Sequence, residues 1–332
     1  MKTDCIIVGQ GIAGTLTAMS LIKHGKRVIV IDNGNKRAAS KVSSGIINPI
    51  TGRRFVKSWR FDALIADALA TYQELEQRLS INIIKPIEIV RSLHSIMDEN
   101  IWAARSLSDP EYCQTAVSDQ SWNDHIKDVT ALASVKGWKV DIKKLLSVSR
   151  DFMSDRNSIL DREFSFEQMR IIDNKIQYSD IESKYIIFCE GWRAIYNPYF
   201  QNIELDPAKG EVLIVKIKGL HAPTILKHKL FIVPTNVAET YWVGSTYDWN
   251  TDDEKPTDAK RTYLKNTLKA VLKLPYEIID QEAGIRPTTK QRRPVLLRHD
   301  THLGLILLNG LGTKGVSLAP HYVKQLIPMV SC

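Results

Sequence analysis

With 332 residues, 44% hydrophobic and 25% charged, the chain has the composition of an ordinary globular protein and the length for two domains, or for one large domain with an insertion. No run reaches the ~18 apolar residues of a membrane span, and four scattered cysteines without a C-x-x-C pair argue against a disulfide framework or a structural zinc site. The formal charge of +8 admits an anionic partner such as RNA, but basic residues cluster only at 53–57 and 290–293, so most of the charge reads as solvated faces.

The chain opens on Asp4-Cys5-Ile6-Ile7-Val8, a buried strand by its apolar run, and passes at once into Gly9-Gln10-Gly11-Ile12-Ala13-Gly14. A strand that begins this early leaves no room for a signal peptide, and a cytoplasmic location is expected. Apolar positions at Ile12, Leu16, Met19 and Ile22 recur near helical spacing until Gly25 stops the helix. Arg27 to Asp32 is a second strand ending in a carboxylate. In such a unit the glycines serve the tight turn, the approach of backbone to a pyrophosphate, and close helix–strand packing. The helix N-terminus at Ile12 and Ala13 offers N–H groups to phosphates. Asp32, eighteen residues beyond Gly14, is spaced to accept hydrogen bonds from a ribose diol. A bare G-x-G-x-x-G is a weak signal, but strand, helix, second strand and acid agree here on a dinucleotide site rather than a plain βαβ turn.

Ser43-Ser44-Gly45-Ile46-Ile47 follows a polar stretch and reads equally as backbone passing a flat ligand or as a simple loop before Pro49. Thr51 to Lys57 is a basic turn, and Phe61 to Leu79 a long helix. Ile81 to Arg91, interrupted by Pro86, predicts a strand pair at the edge of a second sheet. Residues 95–107 read as helix, 108–128 have little periodicity, Val129 to Val135 reads as a strand, and Val140 to Met153 as an amphipathic helix with Asp141 near its start. Short strands near 159–164, 170–172 and 175–178 form a meander. The buried strand Lys184 to Cys189 runs into Glu190-Gly191-Trp192, another glycine turn.

Gly210 to Ile217 alternates as a half-buried strand does, and 231–234 with 241–246 reads as a hairpin. A helix lies within 255–272. The segment from Tyr276 ends in Gly284-Ile285-Arg286-Pro287. Leu303 to Leu308 enters Asn309-Gly310-Leu311-Gly312-Thr313-Lys314-Gly315, and Val316 opens the last helix. The fold class is therefore α/β, a Rossmann-like nucleotide domain split in sequence with an inserted β-rich α+β domain. The division expected is 1–80, 129–210 and 285–332 for the first domain, and 81–128 with 211–284 for the second.

These glycine turns together resemble the D-amino-acid oxidase superfamily of FAD enzymes, over nearly the whole chain and in order. The blocks are Gly9 to Asp32, Ser44-Gly45-Ile46-Ile47, Cys189-Glu190-Gly191-Trp192, the 231–234 and 243–246 hairpin, Ala283 to Thr289, and Gly310 to Gly315. The resemblance implies non-covalent FAD, since no cysteine stands in the turn that would face the flavin. It implies hydride transfer from an amine-bearing carbon to the flavin, with O2 or another carrier as electron acceptor. Departures are Asp32 where Glu is usual, Arg292-Arg293-Pro294 for Asp-Gly-x-Pro, and Leu311 where some relatives carry His.

The resemblance also places Arg286 where relatives pair an arginine with a substrate carboxylate; the residue alone reads rather as a structural ion pair at a strand end, and the Gly-x-Arg-Pro block reverses that reading. Gly312, Lys314, Gly315 and Val316 stand where a helix N-terminus favours the negative charge of a reduced flavin, with Lys314 turned inward or solvated. Tyr241, Tyr247 and Trp249 are candidate pocket walls, and no acid or histidine stands out as a general base. The expected function is oxidation of the C–N bond of a small amine or amino acid. Alternatives are oxidation of a tRNA wobble-uridine side chain, a flavin-binding protein without turnover, and a nicotinamide dehydrogenase. No metal is expected.

Overall fold

The computed structural model describes residues 1–250 and 253–330, so Cys332 lies outside the described residues. The first strand, β1 (Lys2–Val8), is flanked in parallel by β2 (Val28–Ile31) and by Ile181–Phe188. Ile159–Leu160 extends this parallel core beyond β2, and Leu305–Asn309 extends it beyond Ile181–Phe188. Antiparallel strands Lys175–Tyr178, Met169–Ile172 and Val295–Arg298 complete an eight-stranded sheet.

The continuous apolar run of β1 follows from burial on both faces. Cys5 and Ile7 pack with the helices, including α1 (Ile12–Lys23) and Gly315–Val330. Ile6 and Val8 pack on the opposite face with Tyr178, Phe188 and Phe200.

The second sheet has nine strands and runs Glu277–Arg286, Ala208–Lys216, Thr240–Gly244, Phe231–Pro234, Ile225–Lys227, Ile84–Leu93, Ala131–Val140, Ile46–Ile47, with Cys113–Gln114 beside Ala131–Val140. One face carries its own core, where Leu213, Val243 and Ile232 meet Leu264 and Leu268 of the helix Asp258–Val271.

Three sequence expectations change here. Ile84–Leu93 is one ten-residue strand, not a pair broken at Pro86. The neighbour Ile225–Lys227 pairs only with residues 89–91, so the strand is locally an edge at Pro86 and tolerates a missing N–H. The strand expected at 129–135 continues to Val140, and the helix begins at Ile142, where the Asp141 side chain accepts the Lys144 N–H at 3.0 Å.

The domain division is corrected as well. Ala131–Val140 pairs with Ile84–Leu93 residue by residue, and Ile46–Ile47 pairs with Trp138 and Lys139. An unbroken hydrogen-bond ladder thus puts 131–140 and 46–47 in the second sheet rather than with the nucleotide unit. The short strands Ile225–Lys227 and Val295–Arg298 carry no sequence signal of their own and were not anticipated. Among the described residues no helix is long and apolar enough to cross a membrane.

Candidate active site

A cavity of about 1320 Å³ lies between the two sheets and is lined by all the glycine turns singled out above. That exceeds the ~300–1,000 Å³ of common ligand pockets. Its floor is the turn after β1. The Gly9 N–H donates to the Ile31 carbonyl at 2.9 Å, tying the turn to β2. A Cβ at Gly14 would stand 1.8 Å from the Gly9 carbonyl oxygen, so helix and turn meet at a distance only glycine allows. Gly11 caps α1 without a side-chain hydrogen bond, and the Ser40 hydroxyl accepts the Ile12 N–H at 3.0 Å, so one of the N-terminal N–H groups expected to meet phosphate already has a partner at the cavity wall.

Asp32 accepts the backbone N–H groups of Gln10 and Gly34, each at 2.8 Å, and pairs with Arg150 at 3.1 Å. Arg150 also donates to the Gln10 side chain at 2.5 Å and contacts Asp161. Neither Gln10 nor Arg150 was found from sequence. Arg150 sits on the helix Ile142–Ser154, more than a hundred residues from its partner, and no local spacing reveals that contact.

Ser44, Gly45 and Ile46 line the cavity wall. Gly45 has φ +74°, and a Cβ there would lie 1.9 Å from the Val140 carbonyl oxygen. The Gly45 carbonyl accepts the Val140 N–H at 2.9 Å, so the glycine docks this segment onto the second sheet as well as leaving room for a ligand. In the third turn, Asn309 donates to the Gly191 carbonyl at 2.8 Å, which joins it to the start of the Gly310–Gly315 turn. Trp192 donates to Glu254 at 2.7 Å, and Asn35 donates to the other oxygen of Glu254 at 2.9 Å.

Glu190 lies in the same wall and accepts one hydrogen bond, from Asn197 at 2.8 Å. Burial pushes its carboxyl up to about 7, against that bond. The thiol of Cys189 is pushed up by burial to about 12, so it stands protonated and unreactive beside the turn.

Gly310, Gly312, Lys314, Gly315 and Val316 form the opposite end of the cradle. The Gly312 N–H donates to the Pro287 carbonyl at 3.0 Å. The Lys314 side chain turns inward and donates to Ser58 at 2.9 Å, and burial, with Arg293 nearby, lowers its pKa. Arg292 and Arg293 line the rim, with Arg293 4.4 Å from the Trp59 ring centroid, whereas Arg53 and Arg54 are exposed and outside the lining.

Arg286 projects from the end of its strand over Gly210. A Cβ at Gly210 would fall 2.0 Å from an Arg286 terminal nitrogen, so the absent side chain makes the space the guanidinium fills. Arg286 donates to Ser245 at 2.6 Å and to the Thr246 carbonyl at 3.2 Å, and stacks 4.3 Å from the Tyr247 ring centroid. Burial lowers its pKa; Tyr247 acts against that shift, and no carboxylate does. Trp249 packs 5.0 Å from Tyr247 at the same wall.

Tyr241 is not at the site. Its hydroxyl donates to the Leu220 carbonyl at 2.9 Å within the core on the far face of the second sheet. Strand alternation instead turns Trp242 to the cavity, where it donates to the Val42 carbonyl at 2.9 Å. Among the described residues lining the cavity there is no histidine.

Two helix N-termini, glycine turns that admit backbone to a phosphate, an acid at the end of β2 and a long cavity fit a dinucleotide with room left for a small substrate. Comparison with known proteins agrees. A family profile described as FAD dependent oxidoreductase, DAO, matches residues 4–132 and 160–326. Glycine oxidase of Pseudomonas aeruginosa is 21% identical, over 100% of this chain and 95% of its own length. The structure of glycine oxidase from Geobacillus kaustophilus superposes with a TM-score of 0.82 at 17% identity, over 99% of this chain and 94% of that one. Iminodiacetate oxidase from a Chelativorans species superposes with a TM-score of 0.78 at 20% identity, over 98% and 95%. The last two share the fold across its full extent.

Proposed function

Since the chain belongs to the DAO family of FAD-dependent oxidoreductases, and is thus a flavin enzyme, we propose that it oxidises the C–N bond of a small amine or amino acid carrying a carboxylate. The single observation behind this reading is Arg286, a half-buried cation facing the cavity with no carboxylate among the causes of its shift. A desolvated guanidinium without a counter-ion is matched by a planar anion that accepts two parallel hydrogen bonds. The relatives glycine oxidase and iminodiacetate oxidase take their names from substrates of that kind.

FAD, when bound, supplies the acceptor for a hydride leaving the carbon that bears nitrogen. The protein's own part is to bind and orient. The turn after β1 and the N-terminus of α1 would hold the pyrophosphate, and Asp32, fixed by Arg150, would take the ribose. Ser44, Gly45 and Ile46 would flank the ring, while Lys314 and the N-terminus of the last helix would favour negative charge on it. Arg286 holds the carboxylate, and Tyr247 with Trp249 shields that contact from water. The substrate amine loses its proton to solvent before binding, so no side chain acts as general base. Loss of the hydride leaves an imine, whose hydrolysis gives a carbonyl compound and an amine or ammonia. O2 or another carrier takes up the electron pair. The protonated thiol of Cys189 offers no nucleophile to the cofactor, in keeping with non-covalent FAD.

The test is anaerobic flavin reduction by a panel of glycine, N-alkyl glycines and longer amino acids. Arg286→Ala removes one member of a desolvated pair, which costs ~2–5 kcal/mol, about thirty-fold to several-thousand-fold in kcat/KM. Arg286→Lys, which keeps the charge and loses the fork, falls between. FAD content stays at the wild-type level. Unchanged reduction in Arg286→Ala overturns the carboxylate role.

A further inference from the structure

A second cation, half-buried, faces the same cavity. Lys227 ends the short strand Ile225–Lys227, and its ammonium lies 4.6 Å from the Phe231 ring centroid. Its one recorded polar contact is a 3.5 Å approach to the Lys229 carbonyl, at the limit of a hydrogen bond. Burial lowers its pKa to about 8, Arg91 adds to the shift, and no acid opposes it. A lysine that only snorkelled would reach water or a carboxylate. This one is held over an aromatic ring at a cavity wall.

Sheet register relates it to Arg286. Lys227 pairs with Phe231, Phe231 with Gly244, and Gly244 with Val212, so these four residues form one rung across the sheet. All four line the cavity, as paired residues on one face must. The residue after Gly244 is Ser245, which accepts the Arg286 guanidinium. With strands ~4.8 Å apart, the backbone of Lys227 stands about two strands from Gly244, the neighbour of the serine that holds the Arg286 guanidinium. Like charges facing one poorly solvated space repel unless a ligand brings charge of the opposite sign to both.

Building on the proposed amine oxidation, the geometry points to a substrate with two anionic ends: one carboxylate on Arg286, and a second carboxylate, carried on a short chain, on Lys227. Phe231 and Trp242 line the same cavity and offer apolar surface suited to the methylene groups that join the acids. Lys227 acts as a specificity-determining residue, since it touches the end of the substrate away from the reacting carbon. A single half-buried ammonium on a cavity wall suits one compact anion rather than an extended polyanion, which calls for several exposed cations.

The test uses the FAD-loaded enzyme with aspartate, glutamate and 2-aminoadipate in both enantiomers, and with iminodiacetate. Each is compared with a monoacid amine of similar size, such as norvaline or glutamine. The wild type prefers a diacid amine by at least ten-fold in kcat/KM. Lys227→Met collapses that ratio through KM rather than kcat, and Lys227→Arg restores most of it. Glutarate and butyrate, which cannot be oxidised, give a second readout through perturbation of the flavin spectrum. Glutarate binds more tightly in the wild type, and that advantage disappears in Lys227→Met. A wild-type preference for monoacid amines, or a diacid-to-monoacid ratio equal in wild type and Lys227→Met, overturns the proposal while leaving amine oxidation standing. If no amine reduces the flavin yet glutarate binding depends on Lys227, the second-anion site stands and the amine reading falls. FAD content and melting temperature, measured on both variants, report any failure to fold.

Discussion

Arg286 owes its place to a residue with no side chain. Gly210 opens the volume that the guanidinium occupies, Tyr247 covers it, and Ser245 and the Thr246 carbonyl take its protons without neutralising it. Glu190 shows the converse case, an acid buried with a single neutral donor, Asn197. The sign of its effect on stability follows from linkage. Below about pH 4.5 the carboxyl is protonated both folded and unfolded. As pH rises from 4.5 towards about 7, the unfolded chain releases the proton and the folded chain keeps it, so stability falls across that window. A tenfold change in proton affinity is worth ~1.4 kcal/mol, which bounds the loss at ~3.5 kcal/mol. Glu190→Gln keeps an acceptor for Asn197 and removes the charge. The variant should melt at a higher temperature than the wild type at pH 8, with the difference closing towards pH 4.5. A difference that does not change with pH would show that the carboxyl is not held neutral.

Among the elements, the helix Ile142–Ser154 does work that its own sequence does not announce. It is amphipathic and N-capped by Asp141, and reads as a packing helix. Its polar side carries Arg150, which joins Asp32, Gln10 and Asp161, and so fixes the end of β2 and the glycine turn together. A hydrogen bond to a charged group contributes ~1.5–3 kcal/mol, towards the lower end where the pair is partly exposed. Arg150→Ala should therefore weaken FAD binding by about ten-fold, measured by titrating FAD into apoprotein and following flavin fluorescence. It should leave the ranking of substrates unchanged in reloaded enzyme, because Asp32 serves the nucleotide end. Wild-type affinity in Arg150→Ala would mean that the Gln10 and Gly34 N–H groups alone position Asp32.

For the molecule as a whole, the two sheets meet around the cavity, and segments from residue 8 to residue 318 line it. A ligand filling it touches the first sheet, the second sheet and the last helix at once. Binding to the folded state alone stabilises by RT ln(1 + [L]/Kd), ~2.7 kcal/mol at a hundred-fold excess over Kd. Apoprotein should melt several degrees below holoprotein, with a midpoint that climbs with added FAD. Acid or heat should release free FAD into the supernatant. Flavin retained by the precipitate would demonstrate a covalent bond.

The nucleotide end was legible in the sequence because its chemistry is local. Gly9 to Gly14, the helix behind them and Asp32 are contiguous, and the same holds for Gly310 to Val316; a glycine-specific turn that feeds a helix is written in neighbouring residues. Arg286 was marked by the resemblance of its Gly-x-Arg-Pro block, since the residue alone reads rather as a structural ion pair. The alternation of the 241–246 strand was legible too, but not which face meets the cavity, and so Tyr241 was expected where Trp242 stands. Arg150 on Asp32, Glu254 between Trp192 and Asn35, Lys227 across the rung from Gly244, and the membership of 131–140 in the second sheet depend on contacts between distant segments. The sequence alone determined the FAD-type βαβ unit, its closing turn and the alternation of apolar faces, since each is fixed by residues within one element. Only the tertiary structure decided which faces enclose the cavity and which cations are left there without counter-ions, because burial and charge pairing are properties of the assembled chain.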